Sequence, residues 1–101
     1  MPNFVCVAAT ADIPAGQGKT VEVQGKKIAV FNSDGVFYAI DDTCKHRGGP
    51  LGEGELDGTT VTCPWHGWTY DITSGACNDD PSVCVDTYEV KVEGDSVMVG
   101  V

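Results

Sequence analysis

A chain of 101 residues with 42% hydrophobic content makes one domain, residues 1–101, near the lower end of comfortable single-core size. Fifteen acidic residues against six basic ones give a formal net charge of −9. That balance argues against nucleic acid, whose phosphates would be repelled, and favours a basic protein surface as partner. The first twenty residues hold no apolar run long enough for a signal peptide or a membrane helix, so the expected location is cytoplasmic, with no membrane contact.

Residues Phe4 to Ala8 are apolar and β-prone and predict an edge strand, in which Cys6 reads as a small buried hydrophobe. A turn-rich stretch follows around Asp12, Pro14, Gly16 and Gly18. Its Gly18-Lys19-Thr20 ends like a phosphate-binding loop, but the glycine required five residues earlier is Ile13, so a nucleotide site is rejected. Val21 and Val23 alternate with polar residues, Gln24-Gly25 can turn, and Lys26 to Phe31 runs back, which predicts a hairpin. After the turn signal Asn32-Ser33-Asp34-Gly35, residues Val36 to Ile40 form another strand that leads into Asp41, Asp42 and Thr43.

From Cys44 to Gly58 five glycines leave almost no regular structure possible. Thr59 to Cys63 and Thr69 to Ile72 read as strands entering and leaving a second loop. Residues 76 to 84 form a third loop with Pro81, and Val85 to Glu93 and Ser96 to Val101 close the chain as a hairpin about Gly94-Asp95. No segment of ten or more residues has helical periodicity, so the fold is expected to be mostly β.

The chemistry concentrates in two short motifs, Cys44-Lys45-His46 and, after sixteen intervening residues, Cys63-Pro64-Trp65-His66-Gly67. Each offers one sulfur and one nitrogen at the tip of a strand pair, which makes a metal site the first expectation. A structural zinc knuckle more often takes two cysteines from C-x2-C, yet zinc stays open on ligand identity alone. Both histidines of the chain lie here, so no imidazole remains for acid–base work elsewhere. Five cysteines cannot all pair internally; spacing leaves a disulfide between Cys77 and Cys84, seven positions apart, open, and a reducing compartment favours two free thiols.

C-x-H, sixteen residues, then C-P-x-H-G resembles the Rieske iron–sulfur family. The resemblance implies one [2Fe-2S] cluster, with Cys44 and Cys63 on one iron and His46 and His66 on the other. It also implies an all-β, Rieske-like antiparallel β-sandwich or barrel base carrying an inserted cluster-binding subdomain, approximately residues 43–68, formed by the two ligand loops. Neutral imidazoles make their iron the easier one to reduce, so the added electron should reside on the histidine side.

Further residues are expected to tune such a cluster. Gly48, Gly49 and Gly67 either cradle the sulfides with backbone N–H groups or simply turn the chain. Pro64 pre-sets a backbone angle beside Cys63, and Pro81 matches the proline of a loop that covers the cluster in the family. Gly49 and Trp65 stand where respiratory members carry an extra disulfide, and Trp68 stands where they have a serine that donates to a sulfide. Those departures point toward the low end of the roughly −150 to +300 mV class range. Tyr70 matches a tyrosine that donates to a cysteine sulfur and would raise the potential; otherwise it is a core aromatic.

A catalytic oxygenase needs a second iron with two more histidines, and no flavin or nicotinamide fingerprint is present. The resemblance to ferredoxins of aromatic-ring-hydroxylating dioxygenases therefore implies a soluble one-electron carrier, itself no enzyme. It would take electrons from a flavin-dependent reductase and pass them to a terminal oxygenase, docking their basic surfaces through acids near the loops, among them Asp41, Asp42, Glu53, Glu55, Asp57, Asp79 and Asp80. The alternatives are a small [2Fe-2S] subunit of a larger, nitrite-reductase-type enzyme and a zinc-stabilised interaction module.

Overall fold

The computed structural model describes residues 3–44, 49–65, 67–80 and 82–100. Among the described residues ten strands run in order: β1 (Phe4–Ala9), β2 (Gln17–Val23), β3 (Lys26–Ser33), β4 (Val36–Asp41), β5 (Glu55–Asp57), β6 (Thr60–Thr62), β7 (Thr69–Asp71), β8 (Thr87–Tyr88), β9 (Val90–Glu93) and β10 (Ser96–Gly100). Two 3-10 turns, Thr10–Asp12 and Leu51–Glu53, interrupt them, and the described residues contain no α-helix. The strands form three antiparallel sheets, ordered β1-β10-β9, β2-β3-β4-β8 and β5-β6-β7.

Strand β3 explains the layering. Its odd and even residues are both apolar, and Ile28, Ala29, Val30 and Phe31 are all fully buried. Because successive side chains point to opposite faces, Ile28 and Val30 join one core with Ala8, Ile13, Val97 and Val99. Ala29 and Phe31 join another with Cys44, Cys63 and Tyr70. The middle sheet is thus covered on one face by the terminal strands and on the other by the loops of interest. Its hairpins turn where the sequence predicts, with Gln24 and Gly25 at φ 51° and 79° and Asp34 and Gly35 at 56° and 91°, the left-handed pairs that match strand twist.

Three expectations need correction. Cys6 is exposed. It pairs with Met98 on the outer face, and a bulge before Ala8 restores inward pointing at Ala8↔Val97. The glycine-rich stretch is not structureless, since the 3-10 turn and β5 lie within it. Residues 85–93 are not one strand either. Thr87 and Tyr88 pair with β4, whereas Val90 to Glu93 pair with β10, so the chain changes sheets at Glu89.

Candidate metal centre

The first loop leaves β4 and returns to the 3-10 turn, and the second joins β6 to β7. Both are closed by the same device. Cys44 N–H donates to Gly49 O at 3.0 Å, and Cys63 N–H donates to Trp68 O at 2.7 Å, so each cysteine bonds the carbonyl five residues on. Below these closures lie the bridge Thr43↔Pro50 and the pair Thr62↔Thr69. Two loops of the same build place their cysteines side by side, each 1% exposed.

The Cys63 thiol lies within hydrogen-bonding reach of Cys44. Burial pushes its pKa up; the Trp65 N–H partly offsets this, and the hydrogen bond and charge of Cys44 add to the rise. Trp65 N–H points at Cys63 Sγ from 3.4 Å. Fully buried Tyr70, from β7, sets its hydroxyl 3.3 Å from Cys44 Sγ. Tyr70 is therefore both a core aromatic and a group in contact with a cysteine sulfur.

The two described loop glycines are needed for different reasons. A Cβ on Gly49 would sit 2.8 Å from Cys63 Sγ and 3.1 Å from Trp65 Cβ, so the backbone can approach the thiol only without a side chain. Positions 49 and 65 are thereby adjacent in space. Gly67 instead has φ +78° with open space around it, so its backbone conformation is what excludes other residues. Pro64 is exposed, Trp65 is half exposed, and Trp68 packs half-buried against the loop-side core. His46, Gly48, His66 and Pro81 lie outside the described residues. Among the described residues, no third His, Cys, Asp or Glu joins the two thiols in a set fit to hold a metal.

The third loop docks on β7. Asp79 Oδ2 accepts from Thr69 N–H at 2.7 Å and from Thr69 Oγ1 at 3.1 Å, and Asn78 N–H donates to Thr69 O at 2.9 Å. Asp80 Oδ1 accepts from the Ser82 N–H and hydroxyl, which lowers the Asp80 pKa. Cys77 is buried and Cys84 exposed, both free thiols. The bridge Ala76↔Cys84 puts Cys84 on Ala76's face and Cys77 on the opposite one. Asp42, expected among the surface acids near the loops, is only 2% exposed. Neither it nor Asp79 carried a signal beyond proximity to the motifs.

The Rieske [2Fe-2S] domain family matches residues 3–89. A Ralstonia protein named as the ferredoxin component of naphthalene 1,2-dioxygenase/salicylate 5-hydroxylase systems is 35% identical over 98 residues, covering 96% of this chain and 94% of its own. Among solved structures, a chain from a complex of reduced oxygenase and oxidised ferredoxin in carbazole 1,9a-dioxygenase superposes with TM-score 0.88. It is 32% identical, over 96% of this chain and 92% of that one. The ferredoxin of Sphingomonas yanoikuyae B1 also gives 0.88, at 31% identity over 97% and 98% of the two chains.

Proposed function

The chain belongs to the Rieske [2Fe-2S] domain family, and on that premise we propose that it is a one-electron carrier passing electrons from a flavin-dependent reductase to a terminal oxygenase. A bound [2Fe-2S] cluster supplies reversible one-electron uptake. In this reading Cys44 and Cys63 hold one iron and His46 and His66 the other, within a cluster-binding subdomain of about residues 43–68. The observation that carries it is the pair of buried, mutually contacting thiols at the tips of two identically closed loops. Such a donor set fits a thiolate-ligated iron and leaves the remaining ligands to the two histidines of the same motifs.

The chain's own residues do the rest. Gly49 lets the first loop close onto the Cys63 sulfur, Tyr70 and the Trp65 N–H supply donors to the sulfurs, and the core excludes water from them. Exposed Glu53, Glu55 and Asp57 give the first loop's side an acidic surface suited to basic partners. Location in the cytoplasm completes the proposal, and there the thiols of Cys77 and Cys84 stay reduced.

Reconstitution tests it. The holoprotein mixed with NADH and the reductase of a naphthalene-type dioxygenase system should be reduced, and it should restore product formation by the oxygenase in catalytic amounts. A chain that dithionite reduces but no such reductase does, or that remains fixed in one large reductase complex, would reject the shuttling carrier.

A further inference from the structure

Asp42 is the most deeply buried charged residue among those described, at 2% exposure. Its Oδ1 accepts from the Thr20 hydroxyl at 2.8 Å and from Gly52 N–H at 2.7 Å. Its backbone N–H donates to Lys27 O at 3.1 Å, and its carbonyl accepts from Leu51 N–H at 2.7 Å. One residue thus ties together β2, the start of β3 and the 3-10 turn after the first ligand loop. Two residues later comes Cys44.

The turn relies on it. Pro50, at the turn's start, gives no side-chain cap, and the N–H groups of Leu51 and Gly52 both go to Asp42. Gly52 has to be glycine, because a Cβ there would lie 2.7 Å from Thr20 N and would collide with Thr20 Oγ1. Asp42, Thr20 and Gly52 therefore interlock. The same contact gives Thr20 a task that the rejected phosphate-loop reading of Gly18-Lys19-Thr20 left open.

We propose that Asp42, through Thr20 and Gly52, is a positioning residue for the first ligand loop, holding the base of residues 44–49 so that the Cys44 thiol stays against Cys63 and Tyr70. This rests on the carrier reading, in which Cys44 is a ligand. Burying a carboxylate is costly, and plain packing at this site would be met by an apolar side chain. What the carboxylate adds is direction, since its two bonds fix both the turn and β2 relative to the chain entering Cys44. Among the described residues, the bond from Cys44 N–H to Gly49 O and the bridge Thr43↔Pro50 hold the loop's base against displacement.

The test uses the holoprotein with Thr20→Val, which removes the donor at nearly constant shape, and Thr20→Ser, which restores it. Iron and sulfide content, the EPR spectrum of the reduced form, and iron loss to a chelator are read beside the melting temperature. Thr20→Val should change the EPR line shape and speed iron loss about fivefold, the factor one net hydrogen bond carries, and Thr20→Ser should return both toward wild type. An unchanged spectrum and loss rate in Thr20→Val, whatever the melting temperature does, overturns the proposal. Should Thr20→Val not fold, hydrogen exchange on the wild-type holoprotein decides. Protected Leu51 and Gly52 amides support the clamp, and exchange at open-loop rates overturns it. A wild type without iron and sulfide fails the carrier reading instead, with which the proposal also falls.

Discussion

Tyr70→Phe removes one hydroxyl 3.3 Å from Cys44 Sγ and leaves the buried ring in place. A donor to a cysteine thiolate favours the reduced, more negative state, so its loss should lower the potential. A hydrogen bond to a charged acceptor is worth about 1.5–3 kcal/mol, of which only the difference between redox states counts. Taking that difference as roughly 0.5–1.5 kcal/mol, and about 59 mV per tenfold for one electron, the fall is about 20–65 mV. A spectroelectrochemical titration of wild type and variant at fixed pH measures it. A potential unchanged within a few millivolts, with the cluster intact, would refute the donor role of Tyr70 and leave it a packing residue alone.

Gly49→Ala should impair the site without disturbing distant strands, because the new Cβ meets Cys63 Sγ at 2.8 Å. Overpacking of this kind costs about 1–3 kcal/mol, so lower iron occupancy at a near-native far-UV spectrum is expected, and full occupancy would show that the loop gives way freely. The raised Cys63 pKa acts on the metal-free chain. The fold favours the neutral thiol, mainly through burial. Stability from this source is therefore complete below the ordinary thiol value of about 8.5 and is lost as pH rises above it. Melting temperatures of the metal-free chain should fall between pH 8 and pH 10, beyond the fall shown by Cys63→Ser. Raising ionic strength should slow electron transfer to a basic partner, given the net charge of −9; a rate independent of salt would remove the acidic docking surface.

Much of the framework was legible in the residues. Gln24-Gly25 and Asp34-Gly35 marked hairpin turns because few other pairs accept their backbone angles, whereas the burial of both faces of β3 comes from the two cores packed on it. The two motifs stood out because they bring both histidines of the chain beside two cysteines. The outward face of Cys6 was not legible, since it depends on register with β10 rather than on local composition, and neither was the bulge after it that turns Ala8 inward. The break at Glu89 was hidden for a similar reason. Val85, Tyr88 and Val90 suggest one continuous strand, and only the two partners, β4 and β10, divide it. Asp42 looked like any acid beside a loop, because its burial comes from Thr20, twenty-two residues away, and from the turn that follows the loop.

An EPR-monitored redox titration of anaerobically purified protein, with iron and acid-labile sulfide counted on the same sample, tests the central claim most directly. Two iron and two sulfide per chain are predicted, with a paramagnetic signal that appears on uptake of one electron and a midpoint inside the roughly −150 to +300 mV range of histidine-ligated [2Fe-2S] centres. A colourless protein holding one zinc per chain and showing no redox signal would contradict the account.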